Sequence, residues 1–149
     1  NHPNIASIYG LEQSDAHKVL VLELVEGEDL SKRLAAGPLS IEDTLTIARQ
    51  ICDGLEAAHD QGVVHRELKP GNVVANADSD VKILDFGLAK ALDTEVSGLT
   101  DWSQSPTNMS GGTKHGLIMG TAPYISPEHA KGKRVDRRAD IWAFCSVLY

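Results

Sequence analysis

Apolar and polar positions alternate in short blocks near the start of the chain. Single apolar residues stand at 5, 8 and 11, a polar stretch covers 13–15, and an unbroken apolar run covers 19–22. Apolar, β-rich segments on either side of a short polar break are typical of a β-hairpin. The pattern therefore predicts two strands joined by a short turn.

Two helices are predicted next, after an acidic break at 26–29. A short helix is expected over 30–36, and a longer one begins after Ser40, a residue type that caps helix N-termini. Asp43 completes a capping-box pattern with Ser40. The apolar residues of the longer helix recur at spacings of 4, 3, 4 and 3, as on one helical face, and they are Ile41, Leu45, Ala48, Cys52 and Leu55. Ile51 and Ala58 widen this stripe. The Cys52 thiol is expected to be buried and unreactive in this stripe.

The second half of the chain predicts short strands and long polar loops. Strands are expected at 63–64, 73–74 and 81–84, and the Ser-, Thr- and Gly-rich stretch 92–116 is expected to form a long loop. Loops of this length are more often functional than filler. The nearly apolar segment 139–149 predicts a buried helix.

Charge and composition exclude several classes of protein. The chain has 14 Lys and Arg against 21 Asp and Glu, a net charge of −7, which argues against general nucleic-acid binding. Its two cysteines are too few for a disulfide framework. No apolar stretch reaches the roughly 20 residues that cross a bilayer. We therefore expect no nucleic-acid contact, and no membrane contact within this part of the protein.

The residues that carry chemistry lie in three polar clusters, at 65–72, 85–87 and 120–128. Asp85 directly follows an apolar strand, and the side-chain amide of Asn72 offers a second oxygen donor. These donors suit Mg²⁺, which prefers oxygen ligands and phosphate co-ligands. Lys69 supplies a positive charge for a phosphate, and Glu67 is a carboxylate that can accept a proton.

Six segments, in this order along the chain, resemble the catalytic domain of eukaryotic-type Ser/Thr protein kinases. They are HPNI at 2–5, VLELVEGEDL at 21–30, HRELKPGN at 65–72, ILDFG at 83–87, GTAPYISPE at 120–128 and ADIWAFCSVLY at 139–149. The resemblance implies an α+β, kinase-like fold. Residues 1–25 would end the small β lobe, and 26–149 would form the first part of the mostly helical large lobe. The Gly-rich loop and the ATP-pairing Lys would precede Asn1, and further helices would follow Tyr149.

The resemblance implies a binding site for ATP and Mg²⁺. Asp85 and Asn72 would hold the metal ions, while Lys69 would steady the γ-phosphate and Glu67 would take the place of the catalytic base. Six further positions would surround the nucleotide: Leu22 as gatekeeper, Glu23 and Val25 through their backbones at the adenine, Leu30 and Val74 on the adenine faces, and Asp29 at the ribose or the substrate.

Control through the activation segment, which would run from Asp85 to Glu128, is also implied by the resemblance. Arg66 would pair with a phosphorylated residue of that segment. The expected phosphorylation sites, in order of preference, are Thr113, Ser110 and Thr107. Thr121 is typical of Ser/Thr kinases, and Glu128 lies at the end of the segment. Expected partners are a Ser- or Thr-containing protein substrate and a second copy of the kinase for activation-segment phosphorylation. The implied location is the cytoplasm, and the parent protein could carry a membrane anchor elsewhere.

Glu67 departs from the family, which has Asp at the base position. The extra methylene moves the carboxylate by up to about 1.5 Å, and a misplacement of about 1 Å costs on the order of 10²-fold in rate. The phosphate- and metal-binding residues match the family, so the sequence predicts slowed phosphoryl transfer. A pseudokinase that binds nucleotide or acts as a scaffold is the alternative.

Overall fold

The computed structural model describes residues 1–14, 17–86 and 122–149. Packing divides the chain into two compact units. The first consists of Asn1–Val63, Pro70–Phe86 and Leu148, and the second of Val64–Lys69, Tyr149 and the described part of Gly87–Val147. The polar cluster at 65–72 is therefore divided between the units. The predicted loop at 92–116 lies outside the described residues.

The first unit begins with the predicted hairpin. Strand β1 (Ile8–Ser14) pairs antiparallel with strand β2 (His17–Leu22). The register shifts once, between Ile8 and Gly10, as in a β-bulge. The chain leaves the hairpin through residues 23–25, which we call the hinge segment.

A three-stranded antiparallel sheet belongs to the same unit. Its strands are β3 (Glu28–Asp29), β4 (Val73–Ala75) and β5 (Val81–Ile83), in the order β3–β4–β5. Strands β4 and β5 confirm the predictions at 73–74 and 81–84. The acidic stretch 26–29 does separate β2 from α1, but its last two residues also form β3. They pair with Ala75 and Val74 because the ladder joins backbone groups, whatever the side chains.

Both predicted helices of the first unit are present. Helix α1 (Leu30–Ala35) begins after Asp29, whose carboxylate accepts a hydrogen bond from a first-turn amide. Helix α2 (Ile41–Asp60) begins after Ser40, whose hydroxyl oxygen accepts from the amide of Asp43 at 3.0 Å. These caps satisfy amides that have no partner within a helix.

The buried face of α2 agrees only in part with the predicted one, because Ala48, Ile51, Leu55 and Ala58 are buried and the other predicted residues are not. Its buried residues are Ile47, Ala48, Ile51, Gly54, Leu55 and Ala58. Ile41 and Leu45 are 81% and 64% exposed, and the prediction of a buried Cys52 is wrong because this residue is exposed. The exposed residues Ile41, Leu45 and Cys52 lie on a stripe beside the buried one, and Gly54 belongs to the buried stripe. A Cβ on Gly54 would lie 3.0 Å from Cδ1 of Ile83, so the helix packs closely on β5 along this line.

Two helices lie in the described part of the second unit. Helix α3 (Pro127–Ala130) is capped by Ser126, and helix α4 is Arg137–Leu148. The latter confirms the helix predicted over 139–149. The prediction that it is buried is wrong in part, because Trp142 is 47% exposed. The residues of α4 that are buried are Ala139, Asp140 and Ala143.

The strand predicted at 63–64 is absent. Gly62 has a φ of 69°, and the amide of Val63 donates to the carbonyl of Ala58 at 2.9 Å. Val63 therefore closes the C-terminus of α2 rather than joining a sheet. None of the helices in the described part of the chain has the length and apolar character needed to cross a membrane.

Candidate active site

A buried carboxylate holds the start of the segment 65–69 in the second unit. Asp140 of α4 is fully buried, and its two oxygens accept hydrogen bonds from the amides of His65 and Arg66, each at 2.8 Å. Arg66 has a φ of 73°, which is uncommon for a residue other than glycine. Charge-assisted bonds to two consecutive amides stabilise this strained backbone.

Two charged residues of the segment, Glu67 and Lys69, flank a buried leucine. Leu68 is 1% exposed, whereas Glu67 is exposed and Lys69 is half-buried. The amide of Glu67 donates to Nδ1 of His65 at 3.3 Å. Burial of Leu68 fixes the middle of the segment and leaves the Glu67 side chain accessible, as proton transfer with a bound hydroxyl requires.

In the first unit, Asn72 and Asp85 lie at the same end of the β4–β5 pair. A 3₁₀ turn over Pro70–Asn72 leads into β4. The amide of Leu84 donates to the carbonyl of Asn72 at 2.8 Å, which extends the pairing beyond the strand ends. Asn72 is buried, and Asp85 is exposed with a φ of 60°, a conformation that Asp tolerates better than most residues.

This pair of residues fits Mg²⁺ by its donor chemistry. Mg²⁺ keeps several waters and is usually held by one or two carboxylates together with substrate phosphates. Among the described residues, no three or more His, Cys, Asp or Glu side chains are grouped so as to hold a metal. The structure therefore offers no protein cage there. An amide oxygen and a carboxylate at one strand end suit a metal that phosphates also bind.

The hinge segment is fixed through Glu23. Its amide donates to the carbonyl of Ser7 at 2.9 Å, and its carboxylate accepts from the amide of Ser7, also at 2.9 Å. Nζ of Lys82 lies 2.7 Å from Oε1 of Glu23. Because the amide of Glu23 is bonded to Ser7, the expected backbone contact with adenine is left to the carbonyl of Glu23. Val25 is half-buried, and Leu22, the last residue of β2, is 43% exposed.

The hydrogen bonds from Lys82 and from the Ser7 amide hold the pKa of the Glu23 carboxyl below its usual range. No pattern in the sequence indicates a role for Ser7 or Lys82. The signal that could have found Lys82 is its place in β5, where a single charged residue stands between two buried ones, Val81 and Ile83.

The residues expected around the adenine and the ribose belong to one part of the first unit. Asp29 lies opposite Val74 in the β3–β4 pair, and Leu30 and Val74 are both buried. The carboxylate of Asp29 accepts from the hydroxyl of Ser31 and from the amide of Lys32, and these bonds lower its pKa. A carboxylate has further lone pairs, so its capping role leaves room for another donor.

The expected regulatory residues are only partly described. Arg66 is half-buried in the second unit. Glu128 is half-buried in the first turn of α3, and its carbonyl accepts from the amide of Lys133 at 2.9 Å. Thr113 and Thr121, like Ser110 and Thr107, lie outside the described residues.

The sequence profile of the protein kinase domain matches residues 1–149. The chain is similar to a probable serine/threonine-protein kinase of Corynebacterium efficiens, with 34% identity over 100% of this chain and 21% of that protein. It is similar to serine/threonine-protein kinase Pkn1 of Myxococcus xanthus, with 35% identity over 99% of this chain and 20% of that protein. For serine/threonine-protein kinase PknA of Mycobacterium tuberculosis the identity is 39%, over 100% of this chain and 32% of that protein.

The chain belongs to the protein kinase family. These relatives are named as serine/threonine-protein kinases, and the chain spans about a fifth to a third of their length. The expected α+β kinase-like fold is confirmed, with antiparallel strands followed by helices.

Proposed function

We propose that the full-length protein phosphorylates serine and threonine side chains of proteins, with ATP as the phosphate donor. The observation that carries the proposal is the Leu84–Asn72 hydrogen bond, because it keeps the oxygen donors Asn72 and Asp85 at one end of the β4–β5 pair. Similarity to serine/threonine-protein kinases supports the same reaction. In this proposal 1–25 end the small lobe, 26–149 begin the large lobe, and the enzyme works in the cytoplasm.

The residues of the chain have separate tasks in the reaction. Glu67 accepts the proton of the substrate hydroxyl, the hydroxyl oxygen bonds to the γ-phosphorus, and the bond between that phosphorus and ADP breaks. Lys69 places a positive charge beside the γ-phosphate. Asn72 and Asp85 hold Mg²⁺, which when bound neutralises phosphate charge.

The hinge segment and the β3–β4 pair form the nucleotide site in this proposal. The carbonyl of Glu23 and the backbone of Val25 bind the polar edge of the adenine, and Asp29 binds the ribose or the substrate. The apolar residues proposed to contact the base are Leu22, Leu30 and Val74. The support for this arrangement is the pair of hydrogen bonds between Ser7 and Glu23, which fixes the direction of the hinge backbone.

Glu67 makes the reaction slower than in a kinase with Asp. The test is a phosphotransfer assay on the full-length protein that compares wild type with Glu67→Asp and Asp85→Asn. We expect measurable turnover of wild type, a gain on the order of 10²-fold for Glu67→Asp, and loss of turnover for Asp85→Asn. Glu42→Asp, an identical change on the exposed start of α2, is the matched control and is expected to leave the rate unchanged.

Glu67 also keeps a second function open, that of a pseudokinase. This residue is the one departure from the family among the residues proposed to take part in phosphoryl transfer. A wild-type protein that binds Mg-ATP but transfers no phosphate would favour the pseudokinase. Turnover that survives Asp85→Asn would contradict the proposed metal site.

Phosphorylation of the activation segment is proposed to regulate the enzyme. Arg66 would bind the phosphate, since a guanidinium forms strong bidentate bonds with phosphate oxygens. Thr113 is the proposed site, followed by Ser110 and Thr107, and a second copy of the kinase is the proposed donor. Thr121 and Glu128 would complete the segment. Mass spectrometry of fully active protein tests this, because an unmodified segment would contradict it.

A further inference from the structure

Glu23 and Lys82 form an ion pair that is largely shielded from solvent. Their side chains are 20% and 29% exposed, and Nζ of Lys82 lies 2.7 Å from Oε1 of Glu23. Another ion pair of the described residues, Arg138 with Asp136, is much more exposed to solvent. Nη2 of Arg138 lies 2.8 Å from Oδ2 of Asp136, and the two side chains are 84% and 52% exposed. Exposed pairs contribute little because water screens them, whereas removal of one partner of a shielded pair leaves the other charge uncompensated.

The geometry of the Glu23 carboxylate is fixed from two directions. One oxygen contacts Lys82, and the other accepts from the amide of Ser7 at 2.9 Å. The amide of Glu23 in turn donates to the carbonyl of Ser7. With both backbone and side chain bonded, this residue cannot rotate without losing a charge-assisted hydrogen bond.

Lys82 is equally well fixed on its own strand. It lies in the middle of β5, between Val81 and Ile83, which are 1% and 0% exposed. The amide of Ile83 donates to the carbonyl of Asn4, and the carbonyl of Ile83 accepts from the amide of Ala6, each at 2.9 Å. The segment that contains Ser7 is therefore bonded along β5. These hydrogen bonds fix the backbone position from which the Lys82 side chain reaches Glu23.

The pair joins two segments that serve different parts of ATP. Glu23 belongs to the hinge segment, whose carbonyl is proposed to contact the adenine. Lys82 precedes Asp85 by three positions, or roughly 10 Å along an extended chain, and Asp85 is proposed to bind the metal at the phosphates. The ion pair thus connects the hinge segment, proposed to bind the adenine, with the strand that leads to Asp85, proposed to bind the metal at the phosphates. Both belong to the first unit.

We propose that Glu23 and Lys82 are positioning residues, which set the distance between the adenine contact and the metal-binding carboxylate and so determine the affinity for ATP. The inference rests on the proposed function, because it assumes that nucleotide binds along these two segments. Neither side chain takes part in phosphoryl transfer. Loss of the pair should therefore weaken ATP binding and leave the chemical step nearly unchanged.

The test uses Lys82→Met, Lys82→Arg and Glu23→Gln in the full-length protein. Lys82→Met removes the charge and keeps the length of the side chain, and Lys82→Arg restores the charge. Glu23→Gln keeps the size of the side chain and an acceptor for Ser7, so it is the milder change if Lys82→Met fails to fold. Arg138→Met, which removes the exposed pair, is the matched control.

We expect the KM for ATP to rise about five- to tenfold in Lys82→Met and Glu23→Gln, with kcat within about twofold of wild type. The same loss should appear in the Kd of a fluorescent ATP analogue, measured without turnover. Lys82→Arg should recover most of the affinity, and Arg138→Met should match wild type. A reversed pair, Glu23→Lys with Lys82→Glu, should bind better than either of its single variants.

The outcomes separate this proposal from the proposed function. Unchanged KM and Kd in both charge-removing variants, with wild-type turnover intact, overturn the positioning role and leave the kinase reaction standing. Wild-type binding without turnover, weakened by Lys82→Met, supports the positioning role and overturns the reaction. Equal losses in kcat and affinity, with no recovery in Lys82→Arg, indicate a general structural role and overturn the proposal. A wild-type protein that binds no nucleotide overturns both.

Discussion

Arg66 and Asp140 are 74 positions apart in the sequence and are joined by a hydrogen bond of 2.8 Å from the Arg66 amide to Oδ1 of Asp140. The second oxygen of the same carboxylate binds the amide of His65. Asp140 is fully buried and Arg66 has a left-handed backbone. The conformation that presents Glu67 therefore depends on a helix much later in the chain.

Asp140→Asn should destabilise the protein and slow it. The change removes the negative charge and turns one acceptor oxygen into a donor that faces an amide. Loss of a buried hydrogen bond to a charged group lowers the free energy of unfolding by about 1.5–3 kcal/mol. Urea denaturation measures this loss, and a phosphotransfer assay measures the accompanying fall in kcat. Asp53→Asn, the same change at an exposed position of α2, should alter neither, and equal effects of the two variants would argue against the bonds to Asp140.

Gly27→Ala should destabilise the protein more than Gly37→Ala. The two glycines have nearly the same φ, 130° and 133°, so a side chain strains both backbones, at about 1–3 kcal/mol each. At Gly27 the new Cβ would also lie 2.6 Å from the carbonyl oxygen of Ala75, whereas at Gly37 nothing lies within 4 Å. Overpacking adds roughly 1–3 kcal/mol. Thermal unfolding of both variants gives the difference, and equal losses would mean that the β3–β4 pair tolerates the contact.

The ion pair of Glu23 and Lys82 should weaken in acid. The hydrogen bond from Lys82, and then that from the Ser7 amide, lower the pKa of Glu23 in the folded protein. A group with a lowered folded-state pKa stabilises the protein above its unfolded pKa, about 4.3 for glutamate. This stabilisation is lost as the pH falls through the folded value.

Lys82→Met makes that pH dependence measurable. The variant should be less stable than wild type at pH 7, and the difference should shrink as the pH falls below about 4. Urea denaturation at neutral and acidic pH gives the two differences. A gap that stays constant, or widens in acid, would show that Lys82 acts through its aliphatic stem rather than through its charge.

Asn4→Ala should cost more than its size suggests. The side-chain amide of Asn4 donates to the carbonyl of Val81 at 2.9 Å and to Oε1 of Gln50 at 3.0 Å, and Asn4 is only 9% exposed. Its removal takes away a buried hydrogen bond to Val81 and one of the two hydrogen bonds to Oε1 of Gln50, which also accepts from the amide of Val81. Each lost bond lowers the free energy of unfolding by about 0.5–1.5 kcal/mol. Asn1→Ala, at an exposed position, should be neutral in the same denaturation experiment. A loss below about 0.5 kcal/mol for Asn4→Ala would contradict the importance of these bonds.

The features that sequence predicts well here are local. Ser40 and Asp43 mark the start of α2 because the cap involves residues three positions apart. The expected catalytic side chains also lie within short motifs, and their roles stay predictions. The exposure of Cys52 could not be predicted from spacing, since the choice between two apolar stripes depends on Ile83 packing against Gly54. Nor could β3, because its pairing comes from the backbone of β4 rather than from its own acidic side chains.

Lys82 shows the same limit at the candidate site. Its sequence neighbours indicate a strand, but its partner Glu23 belongs to a segment much earlier in the chain. Pairings of this kind are formed by tertiary structure and leave no periodic signal. Asp140 belongs to the segment 139–149, which resembles the kinase family. Its hydrogen bonds to His65 and Arg66 depend on the tertiary structure and cannot be derived from that segment alone.

Synthesis on the ribosome gives the Asp140 hydrogen bonds a further consequence. Translation adds about 5–20 residues per second, so the 74 positions between Arg66 and Asp140 take roughly 4–15 seconds to make. Once Asp85 has been made, the nascent chain carries Glu67, Lys69, Asn72 and Asp85 but still lacks the carboxylate that binds the amides of His65 and Arg66. The hydrogen bonds that stabilise the left-handed backbone of Arg66 can therefore form only after the start of α4 has been translated.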